Sequence, residues 1–251
     1  MDSKAKEIKR IGITGCAGAI GKCVSVALHK RGHFIRGCDI SADGPEIDEY
    51  IQADICDLEA MKSFAEGMDI IIHLAAFPNN GNFMEEILEP NFIGGYMIME
   101  AAREANIDLF IGTSSIQVNS GSGFDEKISI DEEAQPVNIY AVSKIYAEAL
   151  GRMYSNAHDM SVLIVRPGWF LRDKKTRDQF NKSEMSSKFY LSHDDCCRFY
   201  IAAVETNSLA KGAYAVLWMM SKGSCVDMDV AKDLIAYEAQ DAVGEGSYYD
   251  D

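Results

Sequence analysis

A phenol and an ammonium group stand one helical turn apart in the stretch "NIYAVSKIYAEAL", residues 138–150. They belong to Tyr140 and Lys144, which share a face if this stretch is helical, because residues four apart are neighbours on a helix surface. A nearby positive charge favours the phenolate form of tyrosine, so such a pair can exchange a proton with a substrate. The same spacing also occurs where an aromatic ring and a lysine merely cover a helix face. The elements around the pair must decide between these two interpretations.

Strand-like apolar runs alternate with helical segments along most of the chain. The predicted strands are 8–15, 33–40, 49–57, 68–76, 107–115, 160–168 and 212–220, and the predicted helices are 17–31, 83–105, 137–157, 193–206 and 227–237. Alternation of this kind is typical of a parallel sheet with helices on both faces, so we predict an α/β fold with a doubly wound parallel sheet. Pro90 is expected to start the second of two helices within 83–105, because proline suits the first helical turn.

A glycine-rich turn, "TGCAGAIG" at residues 14–21, follows the first predicted strand directly. Gly15 permits the tight turn, Gly18 lets the backbone approach a pyrophosphate, and Gly21 lets the next helix pack closely on the sheet. The free N–H groups at that helix's N-terminus attract phosphate. Asp39 ends the second strand, where a carboxylate binds the adenosine ribose and repels a 2′-phosphate. The turn therefore predicts a dinucleotide site, with NAD favoured over NADP.

Three parts follow from these patterns. Residues 1–168 form the predicted nucleotide-binding core, which also carries the candidate acid–base residues. Residues 169–240 begin with a polar, basic stretch and form a small C-terminal substrate-binding cap that partly rejoins the core. Residues 241–251, "DAVGEGSYYDD", have the polar, acidic composition of a disordered tail.

The composition excludes several classes of partner. The 24 Lys and Arg residues against 39 Asp and Glu give a formal charge of −15, which repels nucleic acid and anionic membranes. The N-terminus is polar and charged rather than a signal peptide, and no run approaches 18 apolar residues. The seven cysteines form no CxxC pair, which is typical of free thiols in a reducing compartment. We therefore predict a cytoplasmic protein. His193, Asp194 and Asp195 fit a helix start better than a metal site, and no metal is expected.

Taken together, the motifs resemble the short-chain dehydrogenase/reductase family in its extended, NAD-dependent epimerase/dehydratase branch, and within it the uronate dehydrogenase-like sugar dehydrogenases. The matching pieces are TGxxGxxG at 14–21, Asp39, "ADICD" at 53–57, "HLAA" at 73–76, "PNFIGGYMIMEAA" at 90–102, "TSS" at 113–115, "YAVSK" at 140–144 and "RPG" at 166–168. The resemblance implies a Rossmann-type fold, NAD as cofactor and a homodimer. The cofactor contacts that it implies are Gly15, Gly18, Ala19, Ile20, Gly21, Asp39, Asp54, Ile55, Leu74, Ala75, Ala76, Asn91, Tyr140 and Lys144.

The resemblance also gives the opening pair a mechanism. Tyr140 is implied as the general acid/base, with Ser115 donating a hydrogen bond to the reacting oxygen. A free tyrosine titrates near 10, so its pKa must fall by roughly 3 units, about 4 kcal/mol. Lys144, about 6 Å along the helix face, is expected to supply on the order of 3 kcal/mol at an effective dielectric of ~20. The cationic nicotinamide is expected to supply the rest.

The substrate positions depart from uronate dehydrogenases. Ile116 and Gln117 stand where that family has Asn and His, and Trp169 stands where it has serine. Ser115, Ile116, Gln117 and Trp169 are the implied substrate contacts. Met185 lies nearest the position of the family's carboxylate-binding arginine, for which the possible substitutes are Lys182, Lys188, Arg172 and Arg177.

The function that we predict is transfer of hydride from a small sugar or sugar acid to NAD. An uncharged or a phosphorylated aldose remains an alternative to a uronate. About 80 residues follow "RPG", few for a nucleotide-sugar site, but two other functions also stay open. One is an epimerase that keeps its NAD, and the other is an NAD-binding regulatory or redox-sensor protein.

Overall fold

A seven-stranded parallel sheet forms the centre of the protein, in the order β3-β2-β1-β4-β5-β6-β9. The computed structural model describes residues 7–123, 127–180, 186–206 and 208–243. The strands of this sheet are β1 (Arg10–Thr14), β2 (Phe34–Asp39), β3 (Glu49–Gln52), β4 (Ile70–His73), β5 (Leu109–Thr113), β6 (Val162–Pro167) and β9 (Tyr214–Met219). The predicted α/β fold with a parallel, Rossmann-type sheet is confirmed.

Helices cover both faces of this sheet, as its almost wholly apolar central strands require. The helices are α1 (Ala19–Lys30), α2 (Leu58–Ala65), α3 (Gly95–Ala105), α4 (Ile139–His158), α5 (Lys174–Phe180), α6 (Ser186–Phe189), α7 (His193–Glu205) and α8 (Asp229–Ile235). On one face, side chains of α1, α7 and α8 pack in a core cluster with the sheet. On the other face, α2, α3 and α4 contribute to a second cluster. Tyr140 and Lys144 are thus carried by a helix that packs against the sheet and its neighbouring helices.

The strand order reverses next to β1, and this reversal locates the site. The chain moves outward from β1 to β2 and β3, then returns to the other side of β1 with β4. Loops that leave neighbouring strands in opposite directions open a crevice at the carboxyl ends of the strands, where ligands of such sheets bind. The glycine turn follows β1 and residues 74–76 follow β4, so both border this crevice.

Two helical elements lie within 83–105 as predicted, but the prediction that Pro90 starts the second of them is wrong. Phe83–Gly94 forms one π-helix that continues through Pro90. It is followed directly by α3. The Asn82 side chain caps its start by accepting from the N–H groups of Met84 and Glu85. In a π-helix the hydrogen bonds run i→i+5, so the Glu86 carbonyl that the Pro90 ring would meet in an α-helix is not the acceptor for this position, and the helix can continue past the proline.

The C-terminal part of the chain contributes β9 to the main sheet, beside β6. A second, two-stranded parallel ribbon pairs β7 (Trp169–Phe170) with β8 (Tyr190–Leu191). The predicted start of the tail at residue 241 is too early, because Asp241 accepts hydrogen bonds from Ser192 and Arg198. Residues 244–251, Lys182 and Met185 lie outside the described residues. Within the described ranges, no helix combines the length and the apolar character needed to cross a membrane.

Candidate active site

A cleft of about 1300 Å³ opens at the carboxyl ends of the strands. It brings together the predicted site residues Gly15, Gly18, Ala19, Ile20, Gly21, Asp39, Asp54, Ile55, Leu74, Ala75, Ala76, Ser115, Ile116, Gln117, Tyr140, Lys144 and Trp169. These residues come from seven separate segments of the chain. One cleft therefore joins the glycine turn to the predicted acid–base pair.

The glycine turn has no room for side chains at two of its positions. Gly15 has φ 71°, and a Cβ there would lie 2.6 Å from the backbone nitrogen of Ala75. A Cβ on Gly21 would lie 2.1 Å from the carbonyl oxygen of Gly15. α1 begins at Ala19 without a side-chain cap, so its first N–H groups face the cleft. A bare backbone cradle at a helix N-terminus fits the pyrophosphate of a dinucleotide.

The carboxylate of Asp39 is fixed at the end of β2 by two backbone donors. One oxygen accepts from Ala17 N at 3.0 Å and the other from Ser41 N at 3.1 Å. The nearby cation Arg36 is held elsewhere, because it donates to Glu49 at 2.6 Å and to the carbonyls of Phe64 and Glu66. A fixed carboxylate at the ribose position, with Arg36 engaged elsewhere, is an arrangement that fits NAD.

Asn91, a predicted cofactor contact, is not among the residues that line the cleft. It is buried and faces a small cavity beside Ser143 and Lys144. Its side-chain oxygen accepts from Phe77 N at 2.7 Å, and its amide nitrogen donates to Phe77 O and to Ser143 Oγ. These bonds use both N–H donors of the amide and one lone pair of its oxygen, so Asn91 fixes the cleft residue Phe77 to the acid–base helix.

Tyr140 and Lys144 are both buried and both carried by the first two turns of α4. The Lys144 ammonium donates to Thr113 O at 3.1 Å and lies 5.5 Å from the centroid of the Tyr140 ring. Asn138 starts the helix by accepting from Ala141 N at 2.8 Å. The phenol and the ammonium therefore share one helix face inside the cleft and do not cover an outer surface.

Burial dominates the electrostatics of this pair. It lowers the pKa of Lys144 to about 8, since the interior solvates an ammonium poorly. It also raises the pKa of Tyr140, although a hydrogen bond with Ser115 and the charge of Arg172 both lower it. The expectation that Lys144 depresses the tyrosine pKa is thus wrong for the protein alone. Behind them, burial lowers the pKa of His73 to about 3, so this imidazole stays neutral.

The substrate end of the cleft is mostly apolar, with one guanidinium. Ile116, Trp169 and Phe189 line it, and Trp169 packs edge-on against Phe180 with ring centroids 5.5 Å apart. Arg172 also lines it and donates to Asn79 Oδ1 at 3.2 Å. Lys188 and Arg177, the other described candidates for an anion partner, are not among the lining residues.

Sequence reasoning missed several lining residues. Lys22, Ser41, Phe77, Pro78, Asn79, Glu85, Glu86, Glu89, Thr176 and Phe189 belong to this group. Lys22 lies one residue beyond the glycine motif and Phe77 one beyond "HLAA", so extending those motifs could have found them. Phe189 reaches the cleft only because β8 pairs with β7, which no local pattern indicates.

Comparison with known proteins agrees with this geometry. The model of the NAD dependent epimerase/dehydratase family matches residues 11–181. The chain belongs to this family. It is similar to an L-arabinose 1-dehydrogenase (NAD(P)⁺) of Haloferax volcanii, with 31% identity over 214 residues, 79% of this chain and 83% of that protein.

Two further relatives are uronate dehydrogenases. The chain is 30% identical over 200 residues to the enzyme of Pseudomonas syringae, covering 78% of this chain and 70% of that one. A solved structure of a uronate dehydrogenase variant from Agrobacterium tumefaciens, complexed with NAD, superposes with a TM-score of 0.82 at 27% identity. That match covers 94% of this chain and 86% of the other.

The buried ammonium of Lys144 predicts a pH-dependent cost to stability. Its folded pKa lies below that of an unfolded lysine, so the unfolded state binds more protons between about pH 8 and 10.5, and stability rises with pH across that window. We expect urea denaturation at pH 7 to give Lys144→Met a free energy of unfolding that is higher than the wild type's by on the order of 1–3 kcal/mol. The gain should shrink towards pH 10. Lys211→Met, at an exposed lysine, is the control and should change stability little at either pH. A destabilised Lys144→Met protein at pH 7 would contradict this account.

Proposed function

We propose that this protein is an NAD-dependent dehydrogenase that oxidises the hydroxyl or hemiacetal carbon of a small sugar or sugar acid. The observation that carries the proposal is the position of Tyr140, which lies beside the Lys144 ammonium and shares one cleft with Ser115 and the glycine turn. A binding protein that only sensed NAD would need the turn but not this buried polar group. The similar arabinose and uronate dehydrogenases support the same reaction type.

The residues divide the work along the cleft. The glycine turn and the start of α1 hold the pyrophosphate, and Asp39 holds the adenosine ribose. Asp54, Ile55 and residues 74–76 form the adjoining wall. Bound NAD⁺ supplies the hydride acceptor and a positive charge on its nicotinamide ring. The protein's own acid–base chemistry then falls to the residues around Tyr140.

Tyr140 accepts the proton of the substrate hydroxyl, and Ser115 donates a hydrogen bond that keeps the reacting oxygen in place. Because burial raises the tyrosine pKa, the phenolate needs all the positive charge that the site offers. Lys144 holds its ammonium beside the ring, anchored on the Thr113 carbonyl. Trp169 and Ile116 offer an apolar wall for the C–H face of a sugar ring, and Gln117 offers an amide near its hydroxyls.

The first test is NADH formation with NAD⁺ and a panel of galacturonate, glucuronate, neutral aldoses and their 6-phosphates. We expect turnover with at least one of these sugars and a loss of about 10²–10⁴-fold in Tyr140→Phe, the usual contribution of a general acid–base group. The variant should bind NAD⁺ as the wild type does, measured by calorimetry. Turnover that persists in Tyr140→Phe would contradict the assignment of the base. Silence of the wild type with every sugar, with NAD⁺ binding intact, would favour an epimerase or a sensor.

Within this class we infer that the substrate is a sugar acid. The cations among the described lining residues are Lys22, Lys144 and Arg172. Lys22 follows the glycine turn and Lys144 lies beneath Tyr140, which leaves Arg172 at the substrate end. Its bond to Asn79 Oδ1 orients the guanidinium, whose planar fork suits a carboxylate.

Arg172→Gln tests this inference. It should lower kcat/KM for uronates by about 10- to 100-fold, the usual worth of a hydrogen bond to a charged group. Neutral aldoses should change little. Lys22→Gln removes one charge at the other end of the cleft and should weaken NAD⁺ binding without altering the preference between sugars. Equal losses for charged and neutral sugars in Arg172→Gln would overturn the sugar-acid assignment and favour a neutral aldose.

We further infer a cytoplasmic homodimer. All seven cysteines are free, as in reducing compartments. Large apolar side chains are exposed on two adjoining helical segments, Ile93 and Tyr96 where the π-helix meets α3, and Val142 and Met153 on α4. A patch of this kind marks an association surface, and a second copy of the chain fits it because a twofold axis pairs each helix with its equivalent.

Light scattering after gel filtration tests the dimer. We expect a mass near twice that of the 27.7 kDa chain, and a monomer for Val142→Glu, because a twofold interface receives the buried charge twice. Val230→Glu is the matched control, since Val230 on α8 is 42% exposed against 41% for Val142. A wild-type monomer, or a dimer that Val142→Glu leaves intact, would contradict the proposal.

A further inference from the structure

A buried ion pair joins the acid–base helix to the end of two strands. Glu148 lies on α4 one turn beyond Lys144, and its carboxylate accepts from Arg166 Nε at 2.7 Å and Arg166 Nη2 at 2.8 Å. The same carboxylate accepts from Ser114 Oγ at 2.6 Å. Arg166 is the penultimate residue of β6 and Ser114 directly follows β5, so one carboxylate links the ends of both strands.

The guanidinium of Arg166 continues this network on its other side. Its Nη1 donates to Asn119 Oδ1 and to Ile130 O, both at 3.4 Å. Its carbon lies 4.9 Å from the centroid of the Trp218 ring, which is buried in β9. Asn119 itself is fully buried. The ion pair therefore reaches a second point of the segment that begins at Ser114.

Residues 114–119 are consequently held at both ends by one ion pair. Glu148 holds Ser114, Arg166 holds Asn119, and the residues between them are Ser115, Ile116 and Gln117. These three line the substrate end of the cleft. The helix that carries Tyr140 thus also anchors, through Glu148, the loop that carries Ser115. The two hydroxyls that must meet the same substrate oxygen share one rigid frame.

Stability alone does not account for this arrangement. Replacing a buried ion pair by well-packed apolar residues is often neutral or stabilising, because two charges must lose their water. The ion pair does fix orientation, because a bidentate guanidinium–carboxylate contact sets the angle between the two groups as well as their distance. A displacement of about 1 Å in a catalytic group can lower a rate by two orders of magnitude. We therefore expect this network to contribute more to the positions of the catalytic groups than to the free energy of unfolding.

We propose that the Glu148–Arg166 ion pair is a positioning device, which acts through Ser114 to set where the Ser115 hydroxyl lies relative to Tyr140. The proposal rests on the dehydrogenase function proposed above. Neither ionic residue needs to touch the substrate. Their effect on catalysis must therefore pass through Ser115.

A double-mutant cycle tests that route. Ser114→Ala removes one hydrogen bond to Glu148 and leaves the ion pair intact, so the protein should fold. We expect kcat to fall about 10-fold with the affinity for NAD⁺ unchanged, as for a lost hydrogen bond to a charged group. In a Ser115→Ala background the same change should have almost no further effect, because residues that act as a unit are not additive. Equal factors in both backgrounds would overturn the proposal.

A deuterium isotope effect separates positioning from general damage. With a sugar deuterated at the oxidised carbon, Ser114→Ala should show a larger isotope effect on kcat, because only the chemical step has slowed. Partial unfolding would lower the active fraction and leave the isotope effect unchanged, which counts against the proposal. Ser155→Ala is the matched control, since this buried hydroxyl of α4 donates to Gly212 O at 2.7 Å, far from the cleft. It should leave kcat and the isotope effect as in the wild type. A wild type that reduces no NAD⁺ with any sugar is a different result, the failure of the proposed function.

Discussion

An ammonium group placed in the protein interior is the constraint on which the rest of this structure depends. Lys144 must lose its water to stand beneath Tyr140, and that loss lowers its pKa to about 8. Its ammonium donates to a backbone carbonyl, that of Thr113 at the end of β5. The lysine can therefore be held only if α4 lies directly over the strand end. The sheet order, the packing of α3 and α4 and the cap at Asn138 all serve that requirement.

Polar contacts behind the cleft also hold the acid–base helix in place. The Asn91 amide bonds to Phe77 and to Ser143, which ties the π-helix to the acid–base helix. Glu148 ties that helix to β5 and β6. Neither residue reaches the substrate. Buried polar groups of this kind specify one arrangement at some expense of stability, as a site that needs fixed angles requires.

The amino-acid sequence predicts the parts of this site that depend on local chemistry. Gly15 and Gly21 are needed wherever a strand turns tightly into a helix, so their spacing identifies the turn and, with Asp39, the cofactor. Tyr140 and Lys144 are recognisable because four residues make one helical turn. In contrast, the environment of each group depends on chain segments far away in sequence. Burial from several elements reverses the expected shift of the Tyr140 pKa, and no local pattern records it.

Pro90 and Asn91 show the same limit in neighbouring residues. A proline in a helical pattern usually marks a helix start, yet here one π-helix accommodates it, because capping at Asn82 and packing against α4 outweigh one missing donor. That register turns Asn91 inward, where its partners come from residues 77 and 143.

The distribution of charge bears on the proposal that so acidic a protein binds an anionic sugar. A formal charge of −15 repels anions at long range, but salt screens such a field within about 8 Å at physiological ionic strength. Inside the cleft, Arg172 shares the lining with the carboxylates of Glu85, Glu86 and Glu89, so an anionic sugar needs direct contact with the guanidinium. Arg36 has its donors occupied by Glu49 and by backbone carbonyls, whereas Arg172 is oriented by a neutral amide. Arg36 and Arg172 thus differ in role, because the partners of Arg36 include a carboxylate and backbone carbonyls, whereas Arg172 donates to an amide oxygen. On the proposed function, Arg172 would select a sugar acid and Asp39 would favour NAD over NADP.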